Sequence, residues 1–232
     1  MEIKALTFPN YGTVETHLSE EYISNFYKLI EEAKEKPNSM NNILAGNISS
    51  SIELNMKSKY ANDFVNNVIP SMVTSYIKQY GFPIKHITKH IQDNTIKLEE
   101  LWVNFQRKHE FNPIHDHNGM LSFVIWLSIP TSSKKQNELP FSKNSGSKGL
   151  ISNFSFVYTD ILGNIKNYVY QMEKDIEGYM VMFPSRLMHQ VFPFYESDKE
   201  RITISGNVGI RTKQIVTKEF FQEQTKVSNH AL

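Results

Sequence analysis

At 232 residues with 40% hydrophobic and 21% charged side chains, the chain has the composition of a globular protein, and one core of this length buries about 70% of its unfolded surface, which excludes disorder as the main theme. A formal charge of +1 supplies no global field toward nucleic acid or an anionic membrane, so no nucleic-acid partner is favoured. The absence of cysteine removes disulfides, thiolate metal sites and cysteine nucleophiles together, and any metal must be held by nitrogen and oxygen. The start, MEIKALTFPN, has neither the basic end nor the apolar run of a secretory signal, and no stretch approaches the roughly 20 apolar residues of a membrane span. The expected address is cytoplasmic, with no membrane partner.

In chain order, Ser19 to Lys36 opens on an N-cap serine and two glutamates, spaces Ile23, Phe26, Tyr27 and Ile30 at helical period, and stops at Pro37. Residues Ala61 to Tyr80 repeat the pattern up to Gly81, with Pro70 kinking or shortening the helix. Residues 1–95 are therefore expected to be mainly helical. From Ile96 the period changes to two, through IKLEELWVNFQ, MLSFVIWLSIP, NFSFVYT, IKNYVYQM, GYMVMFP, MHQVFPF and RITISGNVGI. Seven or more short strands with no helix between them predict a sandwich or barrel over 96–212, and an α+β chain overall. Thr131 to Gly149 reads as a long mobile loop. Its Lys134, Lys135, Lys143 and Lys148 form either a basic patch for an acidic target or a merely solvated cluster. Asp160 to Gly163 and Asp175 to Gly178 read as turns, and residues 213–232 as a tail that frays. The whole, 1–232, is expected to be one domain.

The chemistry concentrates in the β half. In extended chain the side chains of His115 and His117 share a face, whereas Asp116 points away unless the backbone turns at His115 and lets it bind instead. His189, on a later strand, supplies a third imidazole. Three ligands on one face of an octahedral ion leave three positions for a bidentate cosubstrate and dioxygen. Only four residues are arginine, and one of them, Arg201, opens a strand on which Thr203 shares its face. A guanidinium fork there suits the far carboxylate of a diacid such as 2-oxoglutarate. Asn104 and Gln106 share a face of the preceding strand, either reaching the keto acid or a metal-bound water, or lying on a solvated face. Phe111, Phe123 and Trp126 are either pocket walls or core. Asn207 either orients a ligand or caps a turn. His17, His86, His90, His109 and His230 lack such partners and read as surface or packing residues.

The run WVNFQRKHEFNPIHDHNGMLSFVIWLSIP, with FPSRLMHQVFPF and RITISGNV after it, resembles the Fe(II)/2-oxoglutarate-dependent oxygenase superfamily over roughly Leu98 to Ile210. Within it the chain looks like the prolyl-4-hydroxylase-like oxygenases common in marine phages, and LAGNISSSIEL at Leu44 to Leu54 is similar to the N-terminal part of that group. The resemblance implies a double-stranded β-helix, or jelly roll, with the N-terminal helices packed on one side. It also implies an H-x-D...H metal motif and a later R-x-S for 2-oxoglutarate. His115 and His189 take the outer positions of the metal motif, and Arg201 with Thr203 takes the R-x-S role. His117 stands where the superfamily usually has a carboxylate. The activity so implied is Fe(II)-, 2-oxoglutarate- and dioxygen-dependent hydroxylation of an unactivated C–H bond, by kinship of a prolyl or other residue in a peptide or protein, with 131–149 as a lid and the host cytoplasm as the address of a phage-encoded protein. A non-catalytic metal- or diacid-binding jelly roll, and an oxygenase acting on a nucleobase or small metabolite, are the alternatives. The sequence carries no sign of oligomeric state.

Overall fold

The computed structural model of the protein describes residues 4, 10–81, 95–143, 146 and 149–211. The predicted tail, His86, His90, His230 and Lys148 lie outside the described residues. The strands are β1 (Val14–His17), β2 (Ser50–Glu53), β3 (Thr95–Gln106), β4 (Asn112–His115), β5 (Leu121–Ser128), β6 (Phe154–Thr159), β7 (Ile165–Tyr170), β8 (Tyr179–Pro184), β9 (His189–Val191) and β10 (Arg201–Arg211). They form a six-stranded sheet in the order β1-β8-β5-β10-β3-β2 and a four-stranded sheet in the order β4-β9-β6-β7, all pairs antiparallel. This is the double-stranded β-helix that the sequence implied.

Period-two alternation sorts the large sheet into two faces. Leu101, Val103 and Phe105 of β3, Ile204 of β10 and Met180 and Met182 of β8 join one apolar cluster with the helices. The cluster takes in α1 (Glu20–Glu35), which presents Phe26, Leu29 and Ile30, and α2 (Ile69–Tyr80), which presents Met72, Val73 and Tyr76. Phe26 and Phe64 meet edge to face with ring centroids 4.9 Å apart, and Phe64 in turn meets Phe123 at 5.7 Å. Each such buried side chain stabilises the layer by about 2–3 kcal/mol. A second cluster, with Val124, Trp126, Phe154, Phe156, Val181 and Phe183, fills the space between the sheets.

Three expectations need correction. The N-terminal part is not only helical, because β1 pairs with β8 and β2 with β3 at the edges of the large sheet. Each has four residues, too few for alternation to register against background. The helix expected from Ala61 runs unbroken over residues 62–80, and the irregularity expected at Pro70 takes the form of a π stretch, Phe64–Val68, directly before it, where the missing proline N–H would otherwise interrupt the α ladder. It ends at Gly81, whose φ of 74° favours glycine.

The stretch 131–149 is not a bare loop. It holds α3 (Ser133–Asn137) and α4 (Pro140–Lys143), so helix does lie between strands. Gln136 Nε2 donates to the Tyr195 carbonyl at 2.9 Å and Gln136 Oε1 accepts from Tyr195 N at 2.8 Å. Ser133 N donates to the Met172 carbonyl at 3.1 Å, and Glu173 Oε1 accepts from Ser132 Oγ and Lys134 N. These bonds tie the segment to residues 172–173 and 195, and none of its described residues lines the histidine cavity, so the placement expected of a lid is not what the structure has. Lys134, Lys135 and Lys143 are exposed. The turn at Asp160 to Gly163 closes the β6–β7 hairpin, with Asp160 Oδ1 accepting from Leu162 N and Asn164 N. The turn near Asp175 is a short 3-10 helix ending at Gly178.

Candidate metal and diacid site

β4 and β9 are paired so that His115 stands opposite His189, and His117 follows two residues after His115 with its backbone N–H donating to the Ser185 carbonyl at 2.8 Å. One nitrogen from each of the three rings lies within 4.8 Å of the other two. His117 Nε2 and His189 Nε2 are 3.1 Å apart, the separation of two neighbouring ligands at right angles on an ion with bonds of about 2.1 Å. His189 Nδ1 lies 2.9 Å from the Leu187 carbonyl, and His115 Nδ1 lies 2.6 Å from the Pro113 carbonyl. A carbonyl only accepts, so both Nδ1 atoms carry the proton and both Nε2 atoms keep a lone pair, the arrangement that orients imidazole toward a cation. The Asp116 alternative does not match this geometry. Its carboxylate accepts from Arg186 Nη1 at 3.1 Å and is not among the groups that converge with His189.

Aromatic walls exclude water from the rings. Phe154 stacks on His189 at 5.6 Å between centroids, Phe183 meets it edge on at 5.0 Å, and Trp102 lies 5.8 Å from His117. This burial pushes the His117 pKa down to about 4, lowers that of His115, and holds that of His189 well below the ordinary value, each neighbouring imidazole opposing a second charge. All three are neutral near pH 7 and bind a cation without first releasing a proton. Unfolded, each imidazole takes up a proton near 6.5, whereas folded His117 does so only near 4. The unfolded chain therefore binds more protons between those values, and stability present above pH 6.5 is lost as pH falls toward 4. Urea titrations of the metal-free protein are expected to show the midpoint dropping from pH 7 to pH 5, with His117 alone contributing about 1 kcal/mol of unfolding free energy per pH unit and His115 and His189 acting in the same direction. An unchanged midpoint would contradict the burial described here.

From the histidines a cavity of about 60 Å³ runs inward between the sheets. At about 10–15 Å³ per water by that measure it has room for a small metabolite and not for a polymer segment. Asn104, Gln106, Arg201 and Thr203 all line it, as the shared faces of β3 and β10 require. Arg201 is 1% exposed and, among the described residues, has no carboxylate in salt-bridge range. Its Nη1 donates to Gln106 Oε1 at 3.2 Å, and its Nη2 donates to the Ser152 carbonyl at 2.6 Å and to Ser152 Oγ at 2.9 Å. The Arg201 Nε–H has no partner. Burial alone lowers its pKa to about 9, so at neutral pH the group carries a positive charge with nothing opposite it.

Asn104 accepts from Ser51 Oγ at 2.7 Å and its Nδ2 lies 3.5 Å from Thr203 Oγ1, so the solvated alternative does not apply to it. Gln106 spends its Nε2 on the Glu110 carbonyl, which makes it a positioner of Arg201. Trp126 lies in the cavity wall, and Phe123 reaches it from the helical layer. Phe111 does not line the cavity and is 37% exposed. Asn207 is occupied structurally, accepting from Ser122 Oγ and donating to Glu100. His17 and His109 are packing residues, as expected, against Tyr179 and Tyr195. Sequence reasoning missed Ser152, fully buried at a φ of 66°, and the covering segment 41–48, which closes the cavity with Leu44, Ala45 and Gly46. The unusual φ of Ser152 has no sequence signal, and of the covering segment only the part from Leu44 onward falls in the stretch that carries a resemblance.

A jelly roll with three convergent imidazoles at one end of an inner cavity and a buried guanidinium at the other defines a class of metal- and diacid-dependent proteins. Residues 100–207, the β core, match the family model described as "Putative 2OG-Fe(II) oxygenase". The donor set of that core, neutral nitrogen for the ion and an unpaired cation for the dianion, fits Fe(II) and 2-oxoglutarate. Among solved structures, the chain is similar to a prolyl-4-hydroxylase of Pseudomonas putida, at 14% identity over 87% of this chain and 94% of that one, with a TM-score of 0.50. It is also similar to a prolyl hydroxylase from Trichoplax adhaerens in complex with a hypoxia inducible factor peptide fragment, at 13% identity over 85% and 83% and a TM-score of 0.50. A third is SnoN, an alpha-ketoglutarate-dependent epimerase from nogalamycin biosynthesis, at 11% identity over 89% and 83% and a TM-score of 0.52. These likenesses establish the fold, on which more than one reaction is represented. Comparison with curated proteins gives no match. Among the described residues no helix is long and apolar enough to cross a membrane.

Proposed function

We propose that the protein is a 2-oxoglutarate-dependent dioxygenase that hydroxylates an unactivated C–H bond, with a prolyl or other residue of a peptide or protein as substrate. The observation that carries this reading is Arg201, a fully buried cation lacking a protein counter-ion, at the closed end of a cavity whose open end is three imidazoles. His115, His117 and His189 would hold the iron, and Arg201 with Thr203 and Asn104 would hold the diacid. Ferrous iron with 2-oxoglutarate and dioxygen supplies the oxidising power, the diacid leaving as succinate and carbon dioxide. The chain's own contribution is orientation and dryness. The carbonyls of Pro113 and Leu187 fix the two outer rings, Phe154, Phe183 and Trp102 keep water away, and Gln106 with Ser152 aims the guanidinium inward.

The narrow cavity supports the peptide reading, because a substrate larger than the diacid must present its C–H bond from outside, at the partly exposed His115 and His117. That two of the similar structures are prolyl hydroxylases makes prolyl peptides the first substrates to try. Succinate formation with Fe(II) and 2-oxoglutarate, with and without oxygen, tests the reading. Oxygen-dependent succinate that rises on adding a proline-containing peptide, with a mass increase of one oxygen atom in the peptide, is the expected result. Binding of both ligands with no succinate under any condition would instead make the protein a non-catalytic binder, consistent with an imidazole where a carboxylate is usual.

A further inference from the structure

Among the described residues three buried side-chain polar atoms lack a hydrogen-bond partner: Tyr76 Oη, Arg201 Nε and Asn112 Oδ1. Tyr76 belongs to the helical layer, whereas Arg201 and Asn112 line the same cavity. An unpaired buried polar atom is destabilising, and these two have opposite needs: Arg201 Nε–H requires an acceptor, whereas Asn112 Oδ1 is itself an acceptor, so what Asn112 can offer a carboxylate in this cavity is its amide NH2, which makes no hydrogen bond among the described residues.

Asn112 reaches that space through a backbone irregularity. It stands three residues before His115, an odd spacing that in a regular strand sends two side chains to opposite faces. A bulge between Asn112 and His115 turns both inward, and Pro113, which has no N–H to leave unpaired, lies within it. Across the ladder Asn112 pairs with Val191, and the next residue, Phe192, offers its carbonyl to Gln106 Nε2 at 3.4 Å. Gln106 is the residue that holds Arg201. The ladder therefore has a histidine end and an Arg201 end, and Asn112 is at the latter.

Room for the amide comes from Gly46, where a Cβ would stand 2.2 Å from Asn112 Oδ1. Gly46 lies in the covering segment, tied down by Asn47 N donating to the Phe111 carbonyl at 2.8 Å and Asn41 Nδ2 donating to the Ile48 carbonyl at 2.8 Å.

We propose that Asn112 is a second grip on the diacid, its amide NH2 donating to a carboxylate oxygen beside Arg201. This rests on the reading of the cavity as the 2-oxoglutarate site. Carboxylate oxygens only accept, so the ligand takes the NH2 end of the amide whichever way the side chain is turned. A neutral donor also suits the charge balance, since a divalent ion and one guanidinium already exceed the two negative charges of the diacid.

The test is calorimetric titration of 2-oxoglutarate into oxygen-free, Mn(II)-loaded wild type, Asn112→Ala and Asn112→Asp, after Mn(II) binding to each has been measured. Mn(II) affinity is expected to be the same within about twofold. Diacid affinity should fall about tenfold in Asn112→Ala, the loss of one hydrogen bond to a charged group, and about a hundredfold in Asn112→Asp, where a carboxylate meets a dianion. Because Oδ1 has no protein partner, the metal-free melting temperature of Asn112→Ala should stay within about 2 °C of wild type, which separates ligand contact from folding. Equal diacid affinity in wild type and Asn112→Ala overturns the inference, as does a collapse of the melting temperature in step with the affinity. A wild-type protein that takes Mn(II) and no diacid overturns the site reading itself.

Discussion

His189→Ala is expected to abolish stoichiometric metal binding. His189 is 4% exposed, its Nδ1 is committed to the Leu187 carbonyl, and its Nε2 faces that of His117. Two neutral imidazoles would remain, without the anionic ligand that usually anchors iron in this class, so one lost nitrogen cannot be offset by charge. Affinity should drop by more than about a hundredfold, larger than the 10–100-fold typical of losing only a supporting partner. Metal analysis after dialysis, with a direct Fe(II) or Mn(II) titration under nitrogen, gives the number, and circular dichroism confirms the fold. A variant that still holds one ion per chain at wild-type affinity removes His189 from the site and takes the oxygenase reading with it.

Arg201→Met should leave that metal affinity alone and weaken 2-oxoglutarate by about 30–1000-fold, the 2–4 kcal/mol expected for a buried charge-assisted contact. Stability supplies a second readout. Without diacid the variant loses a buried charge that has no counter-ion, so its melting temperature should equal or exceed that of wild type despite the unpaired Ser152 and Gln106 acceptors. With saturating diacid the order should reverse, because only wild type gains the linked stabilisation. Arg201→Lys keeps the charge and loses the fork, and should fall between the two. If Arg201→Met binds the diacid as wild type does, the carboxylate clamp is elsewhere.

Much of this site was legible in the residues. The spacing of His115 and His117 placed them on one face, and the pairs Asn104 with Gln106 and Arg201 with Thr203 did the same for the cavity walls, since all lie in strands whose two-residue period needs no tertiary information. Ser19 and Gly81 marked helix ends through local backbone chemistry. Other features were hidden. β1 and β2 are too short to alternate visibly, α3 and α4 sit in a stretch whose polarity reads as loop, and Phe111 faces outward although its type suggests a wall. Asn112 was concealed by the bulge, which reverses the face that counting assigns it. Ser152 has no motif, because its role depends on an arginine 49 residues later in the chain.

The sequence by itself determined which donors exist, how far apart along the chain they lie, and which of them share a face of a strand. Those are properties of contiguous residues, governed by covalent geometry and hydrophobic period. Tertiary structure alone decided that β4 and β9 pair in the register that sets His115 against His189, that Gln106 and Ser152 converge on Arg201, and that the segment around Gly46 covers the cavity. Register between segments more than seventy residues apart follows from the combined packing of both sheets and the helical layer, and no local pattern carries that sum.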